Sequence, residues 1–408
     1  MNKPDFDSNF FKNNRANLRR HLNTDDPIVI TANGLIQMGA DSSYPFVQDA
    51  NFWYLSGIND PDIILVMDGE REFLIAPTRE ATRATFDGQI DQTSLTNLSG
   101  IGDVLNEVSG WKRLDALAEK TKRLATLAPA PSFIEQYGMY ANPARSRLID
   151  RIRRHVEDIH LMDIRPEIAR LRMIKQAPEL AALKLAIDIT TDTLKDVMAA
   201  ASGYSYEYEI EADISRGFRY RGADGHAFDP IVAGGKRACT LHNTSNNAAL
   251  DSSELVVMDV GAAVLGYAAD ITRTMSVSKP SPRQQDVFRA VRAAQAYAMS
   301  LIKPGTKLKT YEDKVMRFIG SELKTLGLIK NLKETEVRRY FPHATSHFIG
   351  LNVHDVGDYQ MPLKPGMVLT VEPGIYIPEE GIGVRIEDDV LVTPDGVKSL
   401  SAGLPVKL

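Results

Sequence analysis

The chain has 408 residues, of which 43% are hydrophobic and 25% are charged. These proportions are typical of folded globular proteins, and they exclude a disordered chain or a small disulfide-stapled domain. The 48 Lys and Arg residues nearly balance 53 Asp and Glu residues, giving a net charge of −5 with no long basic block. Nucleic acid and anionic membranes are therefore not expected as partners.

The first twenty residues carry charged side chains throughout and contain no apolar stretch of the kind found in secretory signals. The longest aliphatic runs, such as residues 63–67, are strand-sized. A membrane-spanning helix needs roughly 20 apolar residues. Cys239 is the only cysteine, so no intramolecular disulfide can form, which suits a reducing compartment. We expect a cytoplasmic protein without a membrane span.

In the first third of the chain, short strands and helices are predicted to alternate. Strands are predicted over residues 26–31, 52–55, 63–67 and 73–76. Helices are predicted over residues 114–124 and 144–156. Pro166 interrupts the pattern, so we place a domain boundary there, with an α/β domain over residues 1–164 and a larger α+β domain over residues 165–408.

The second domain is predicted to begin with a long amphipathic helix over residues 175–201, with Pro178 in its first turn. Further helices are predicted over residues 205–222, 281–302 and 308–326. Strands are predicted over residues 254–260, 266–277, 367–377 and 383–393. These strands form two strand–loop–strand units of similar layout, which indicates a degenerate internal duplication.

Each unit carries paired acidic residues. Asp259 and Glu372 end runs of Val, Leu and Met that should be buried strands, where a lone ionised carboxylate would cost several kcal/mol. A salt bridge to Arg273 or Arg385, or exposure at the strand end, could explain one such acid. Asp270 and Glu387 bring the number to four, which favours a cation site over that simpler explanation.

Arg385 lies two residues before Glu387, and the two side chains would share one face of a strand. Arg385 is therefore a candidate to contact the acidic site, and the alternative is an ordinary surface arginine on an edge strand.

Residues 342–357 contain three of the eight histidines, His343, His347 and His354. The spacing of His343 and His347 imitates a helical zinc site, but Pro342, Gly350 and the missing glutamate favour a loop or strand. His347 and the four acids make an oxygen-rich set without sulfur, which suits manganese, magnesium or cobalt better than structural zinc. Two divalent cations would balance the four negative charges, so a bridged dinuclear centre is the simplest arrangement.

Several segments of the second domain, in this order, resemble the pita-bread metallopeptidases. They are residues 241–244, 257–261, 269–274, 346–357, 369–376 and 384–389. The resemblance is greatest to the aminopeptidase P branch, and residues 51–57 resemble the first domain of that branch. It implies an α+β pita-bread catalytic domain at the carboxyl terminus, preceded by a smaller α/β domain.

The resemblance also implies a ligand set for two divalent metal ions, with Mn²⁺ as the first choice and Co²⁺ or Zn²⁺ as alternatives. Asp270 and Glu387 would bridge the ions, His347 and Glu372 would complete one site, and Asp259 would bind at the other. A metal-bridging hydroxide would attack the scissile carbonyl, because two cations lower its pKa and polarise the substrate oxygen.

By the same resemblance, Glu372 would also shuttle protons. His242 and His354 would contact the substrate or stabilise the tetrahedral intermediate, and His343 and Tyr376 would line the substrate site. Arg385 completes the candidate catalytic residues.

The substrate implied by the resemblance is a peptide with proline in second position, which loses its first residue, and the implied assembly is a homodimer or homotetramer. A prolidase, which cuts Xaa-Pro dipeptides, shares every metal ligand and is the main alternative. The short loop between Tyr376 and Gly383 favours longer substrates. A noncatalytic peptide-binding scaffold of the same fold is disfavoured, because none of the ligands is missing.

Overall fold

The computed structural model describes residues 3–69, 71–130 and 137–408. The chain divides into two compact units, Asp5–Leu171 and Arg172–Leu408, and the described residues before Asp5 belong to the second. Helix α7 (Arg165–Met173) contains the point where the chain passes from one unit to the other. None of the helices in these residues combines the length and the hydropathy that a bilayer-spanning segment needs.

The first unit is built around one mixed sheet of six strands. The strands of this sheet are β1 (Ile28–Thr31), β4 (Ile64–Asp68), β5 (Arg71–Ala76), β6 (Val104–Asn106), β7 (Arg123–Thr126) and β8 (His160–Asp163). Their order in space is β6-β5-β4-β1-β7-β8, and a separate hairpin joins β2 (Gln37–Gly39) to β3 (Ser42–Ser43). The helices are α1 (Ser8–Leu22), α2 (Ala50–Ser56), α3 (Ala81–Asp87), α4 (Gln92–Ser99), α5 (Glu107–Thr121) and α6 (Ala144–His155).

The predicted strand at residues 52–55 is wrong, because these residues lie in helix α2. The Asp49 carboxylate caps this helix by accepting hydrogen bonds from the N–H groups of Asn51 and Phe52. Gly57 ends it in the left-handed region, with φ of 71°. The run of aromatic and aliphatic residues in this helix is almost entirely buried, and such a short apolar run does not reveal a helical period.

One hydrophobic core of the first unit lies between the sheet and two helices. Apolar residues from β4 and β5, such as Val66 and Phe73, pack against Leu114 of α5 and Ile152 of α6. The helix predicted over residues 144–156 is confirmed as α6. A helix is also present where residues 114–124 were predicted, but α5 begins earlier, at Glu107, and ends at Thr121, and residues 123 and 124 lie in strand β7.

The second unit contains four long helices close to their predicted bounds. They are α8 (Ala177–Ala199), α9 (Glu207–Tyr220), α10 (Pro282–Leu301) and α11 (Leu308–Thr325), and a short helix α12 (Glu334–Arg338) follows. Pro178 lies in the first turn of α8, where its missing N–H has no helical partner to lose. Ser281 begins α10 with a capping box that involves Gln284.

The strands of the second unit are shorter and more numerous than predicted. They are β9 (Gly225–His226), β10 (Ile231–Gly234), β11 (Leu255–Val260), β12 (Ala262–Val264), β13 (Tyr267–Ala268), β14 (Ile271–Ser276), β15 (Val368–Val371), β16 (Gly374–Ile377), β17 (Ile382–Arg385), β18 (Asp388–Thr393) and β19 (Gly396–Ser399). Three of the long predicted strands are each interrupted, and the interruptions contain Asp270, Glu372 and Glu387. An acidic residue at such a break lies outside the hydrogen-bonded strand pairing, so its side chain can turn toward a site.

The internal duplication predicted from the sequence is confirmed by the strand pairing. Strand β11 pairs with β14 while β12 pairs with β13, and in the same way β15 pairs with β18 while β16 pairs with β17. Helices α8 and α9 share a core with the first set, and α10 and α11 share one with the second. Each half of the second unit is therefore a set of paired strands supported by its own two helices.

The register makes Asp270 and Glu387 equivalent positions in the two halves. The residue two after Asp270 pairs with Asp259, and the residue two after Glu387 pairs with Thr370. Asp259 thus corresponds to Thr370, and Glu372 lies two residues further along the chain. The halves match in topology and in one pair of acids, while the other two acids are offset.

Gly261 lies at the sharp passage from β11 to β12, and we expect Gly261→Ala to destabilise the second unit. A methyl group there would overlap the backbone carbonyl oxygen of Ala269, which neighbours Asp270. Overpacking against rigid atoms costs about 1–3 kcal/mol or more, so the free energy of unfolding should fall by that amount. The measurement is the denaturant concentration at the midpoint of unfolding, which should be lower. Gly225→Ala is the matched control, because an added methyl at Gly225 meets no atom within 4 Å. Equal stability of the two variants would contradict the prediction.

Candidate metal centre

The four predicted acids reach the site from both halves of the second unit. Asp259 lies near the end of β11, and Asp270 lies in the break before β14. Glu372 directly follows β15, and Glu387 lies between β17 and β18. His347 comes from the segment before β15, which is not helical, so the prediction of a loop or strand around His343 and His347 is confirmed.

The structure brings Asp270, His347 and Glu387 close together. One ligand atom from each lies within 4.8 Å of the other two. His347 Nε2 is 3.4 Å from Asp270 Oδ2 and 3.5 Å from Glu372 Oε1. Both distances are longer than a charge-assisted hydrogen bond. These distances leave the imidazole nitrogen facing two carboxylates without a direct bond to either.

The orientation of His347 is fixed by its other ring nitrogen. Nδ1 lies 3.1 Å from the backbone carbonyl oxygen of Phe348. A carbonyl oxygen only accepts hydrogen bonds, so Nδ1 carries a hydrogen, and Nε2 is the ring atom that faces the acids. A hydrogen bond of this kind is the usual way in which a protein orients a metal-binding histidine.

Burial and mutual repulsion change the titration of the acids. The pKa of Asp270 is raised well above its usual value, first by burial and then by the charges of Asp259 and Asp389. The pKa of Glu387 is raised in the same way, by burial and then by Asp270 and Glu372. Burial also raises the pKa of Glu372 to about 7. Cations between these groups would offset the repulsion and favour the ionised carboxylates.

Two of the acids each have one oxygen held and one oxygen free. Asp259 Oδ2 accepts a hydrogen bond of 2.6 Å from Arg385 Nη2, and Glu387 Oε2 accepts one of 2.6 Å from Thr272. Asp259 Oδ1 and Glu387 Oε1 are buried and have no hydrogen-bond partner among the described residues. A buried acceptor without a partner is costly, and a cation would satisfy both. The site therefore fits divalent metal ions.

Comparison with known proteins agrees with the metal-binding character of the site. Residues 181–394 match Metallopeptidase family M24, and residues 11–124 match the aminopeptidase P N-terminal domain. The chain belongs to metallopeptidase family M24. The resemblance and the α+β pita-bread fold expected from the sequence are thus confirmed.

Relatives of this M24 chain match it over nearly its whole length. Xaa-Pro aminopeptidase 3 of Mus musculus is 34% identical over 95% of this chain and 80% of its own length. The Xaa-Pro aminopeptidase of Escherichia coli is 31% identical over 97% of this chain and 95% of its own. A structure of zinc-substituted E. coli aminopeptidase P in complex with product has a TM-score of 0.87 at 29% identity, covering 99% of this chain and 97% of that one.

A buried arginine connects the M24 site to its surroundings. Arg385 is only 3% exposed, which differs from an ordinary surface arginine. Its guanidinium bonds Asp259, donates to Tyr376 Oη at 2.9 Å and donates to Thr272 Oγ1 at 3.2 Å. Tyr376 Oη is in turn 2.9 Å from His343 Nε2. A continuous chain of hydrogen bonds thus runs from Asp259 to His343.

The salt bridge considered for Asp259 in the sequence is present, but it involves only one of the two candidate arginines. Arg385 forms it, whereas Arg273 pairs with Asp388 at 2.7 Å. Among the described residues, Asp270, Glu372 and Glu387 form no ion pair with Lys or Arg. A salt bridge to arginine therefore explains the buried charge of only Asp259 among the four acids.

Two further histidines lie on the exposed side of the centre. The ring of His354 meets the ring of His347 edge to face, with 4.5 Å between centroids. The pKa of His354 is lowered to about 4, first because the side of the ring that faces the site is shielded from water and then by the neighbouring His347 and His242. His354 is therefore neutral near pH 7. Both His354 and His242 are exposed, so a bound molecule could reach them.

Sequence reasoning missed three residues that support the ligands. Asp389 is fully buried, and its Oδ2 accepts a hydrogen bond of 3.0 Å from the backbone N–H of Asp270. Thr370 Oγ1 accepts from the backbone N–H of His347. Thr272 Oγ1 donates to Glu387, a bond that the sequence did not predict. The acidic run from Glu387 to Asp389, inside an otherwise apolar strand, was the available signal for Asp389.

Thr272→Val should lower peptidase activity by about 10- to 100-fold, as loss of groups that orient metal ligands typically does. The substitution keeps the shape of the side chain but removes the hydroxyl that donates to Glu387 and accepts from Arg385. The measurement is kcat/KM at saturating metal, together with the metal content.

Thr274→Val is the matched control. Thr274 is equally buried on the same strand, but its hydroxyl bonds only the backbone of Arg385. Both variants should lose some stability, and only Thr272→Val should lose most of its activity. Equal activity in the two would count against the role given to Thr272.

Proposed function

We propose that this M24 chain removes the first residue from peptides that carry proline in second position. It is a metal-dependent aminopeptidase, and the proline specificity is the proposed part. The observation that carries the proposal is the meeting of Asp270, His347 and Glu387 in one cluster, whose two carboxylates form no ion pair with Lys or Arg among the described residues. The names of the Xaa-Pro aminopeptidases that match almost the whole chain support the substrate class.

We assign the metal centre to two divalent ions, with Mn²⁺ first and Co²⁺ or Zn²⁺ as the alternatives to compare. Asp270 and Glu387 would be shared by both ions, since they occupy equivalent positions in the two halves. His347 and Glu372 would hold one ion, and Asp259 would hold the other. When bound, such ions polarise the scissile carbonyl and make water a stronger nucleophile at neutral pH.

The side chains around the ligands are assigned complementary roles. Glu372 is the proton carrier, because its carboxylate is 18% exposed and can take a proton from water and pass it to the departing amine. His354 and His242 are exposed next to the cluster and are assigned to hydrogen bonds with the peptide. Neutral His354 can donate one hydrogen bond to a developing oxyanion, which stabilises the transition state.

A second group of residues is assigned to positioning and lining. Arg385 holds Asp259 in place and keeps a positive charge beside it. Burial raises the pKa of Tyr376 to about 12, so its hydroxyl stays protonated and bridges Arg385 and His343. We assign Tyr376 and His343 to the wall of the substrate site.

Two further assignments concern the assembly and its compartment. We propose a homodimer or homotetramer, by the resemblance described above. A single cysteine supports a reducing compartment, and we assign the protein to the cytoplasm.

The deciding experiment compares an Xaa-Pro-Yaa tripeptide, the matching Xaa-Pro dipeptide and an Xaa-Ala-Yaa tripeptide, each with Mn²⁺ supplied and with a chelator. We expect metal-dependent release of the first residue from Xaa-Pro-Yaa alone. Dipeptide-only turnover would mean a prolidase, and turnover of none of the three would favour a binding scaffold.

Asp270→Asn and Glu387→Gln provide the controls for that assay. Each removes a shared negative charge while keeping the size of the side chain, so each should reduce turnover to the background of the chelated enzyme. Appreciable activity in either variant would contradict the bridging assignment.

Chelation should also lower thermal stability. Without cations the buried carboxylates repel one another, and the free energy of metal binding to the folded state is lost. We expect the melting temperature to fall by about 5 °C or more, on the scale of a few kcal/mol in a domain of this size. Asp270→Asn should show a much smaller change on chelation, which controls for effects of the chelator itself. An unchanged melting temperature after exhaustive chelation would oppose the metal assignment.

A further inference from the structure

A buried cluster of charged residues lies beneath the segment that carries His347 and His354. Its members are Arg172, Lys175, Glu179 and Asp355, each at most 6% exposed. Asp355 bonds Arg172 through Oδ1 and Lys175 through Oδ2, the latter at 3.3 Å. Two cations and two carboxylates balance one another. None of the four has a role in the function proposed above.

Asp355 is the residue of this charged cluster that belongs to the site segment. It directly follows His354, and its own N–H donates to the carbonyl oxygen of Phe348 at 2.8 Å. That hydrogen bond closes a loop from residue 348 to residue 355, whose ends adjoin His347 and His354. The loop is therefore fastened at its base by the Asp355 backbone and by the Asp355 carboxylate.

The charged cluster is also joined to the strand that leads to Asp270. Tyr267, on β13, donates to Glu179 Oε1 at 3.0 Å. The N–H of Ala268 donates to the carbonyl oxygen of Gly350 at 2.8 Å, which ties β13 to the loop itself. The segment from the end of α7 to the first turn of α8 thus holds both places: Arg172 and Lys175 hold the loop of His354, and Glu179 holds the approach to Asp270.

The loop packs closely around the Asp355 carboxylate. A methyl group added at Gly350 would overlap Asp355 Oδ2 and would come within 3.1 Å of Lys175 Cε. His354 itself is exposed, and its ring meets His347 at 4.5 Å. The position of this exposed ring therefore depends on what holds the loop from below.

We propose that Asp355 is a positioning residue, which, through its buried ion pairs with Arg172 and Lys175, fixes His354 beside His347 for its contact with the peptide. The inference rests on the proposed function for the role of His354. The anchoring of the loop is a separate physical statement that can be tested without turnover.

The first test measures hydrogen exchange of the loop in the intact protein, using Asp355→Asn and Lys175→Met. Either variant should speed exchange in residues 350–357 by at least about tenfold. Lys175→Met is the milder change, because the Arg172 pair remains, and it keeps the test decisive where Asp355→Asn folds poorly. Unchanged exchange in a folded variant of either kind would overturn the proposal.

A third variant displaces the carboxylate without changing any charge. Gly350→Ala should reproduce the faster exchange, because the added methyl pushes Asp355 Oδ2 away. Gly203→Ala is its control, since an added methyl there meets no atom within 4 Å. Asp49→Asn controls for loss of a buried aspartate that pairs with arginine, Arg145, in the first unit. Asp49→Asn should lower the melting temperature and leave hydrogen exchange in residues 350–357 unchanged.

The second test is a double-mutant cycle with His354→Ala on the Xaa-Pro-Yaa tripeptide. Asp355→Asn should lower kcat by about 10- to 100-fold, as small misplacements of a reacting group do, with a smaller change in KM. Because Asp355 acts through His354, adding Asp355→Asn to the His354→Ala variant should lower kcat only a little further. Fully additive losses would overturn the proposal. If the wild-type protein turns over no Xaa-Pro-Yaa peptide, the proposed function fails, and the exchange result alone decides the anchoring of the loop.

Discussion

The repulsion among buried carboxylates is the constraint on which the rest of the catalytic unit depends. Asp259, Asp270, Glu372 and Glu387 lie together, and Arg385 is their only guanidinium partner among the described residues. In a protein interior such a group of acids must bind protons or cations. The surrounding bonds favour cations, because they hold one oxygen of Asp259 and one of Glu387 and leave the other free.

The strand breaks explain how a sheet can present this many acids at one place. In an uninterrupted strand, alternate side chains would point to opposite faces. At each break the backbone finds a new partner: the N–H of Asp270 bonds Asp389, that of Glu372 bonds the carbonyl of Thr345, and that of Glu387 bonds the carbonyl of Thr272. The backbone polar groups remain satisfied while the side chains turn inward.

Sequence reasoning predicted the helices of the second unit, the duplicated layout and the cluster of acids with His347. Apolar periodicity and the density of acids in apolar strands carry those signals. It did not predict the breaks. Pro373 after Glu372 was an available signal for one of them, because proline cannot donate to a strand ladder. The breaks at Asp270 and Glu387 have no comparable local mark beyond the acid itself. It mistook residues 52–55 for a strand, since a short buried helix and a short strand look alike in apolar composition. The ion pairs of Asp355 could not be predicted from the sequence either, because Arg172 and Lys175 lie about 180 residues away in sequence.

The offset between the two halves makes the metal centre unequal on its two sides. Asp270 and Glu387 occupy equivalent positions, but the proposed assignment adds His347 and Glu372 on one side and Asp259 on the other, and Asp259 already shares one oxygen with Arg385. Under the proposed assignment, the first position has more donor atoms of its own and the second has a cation nearby that competes for its acid. The two ions should therefore differ in affinity and leave in sequence, so a half-loaded protein would exist as a distinct species at intermediate metal concentrations.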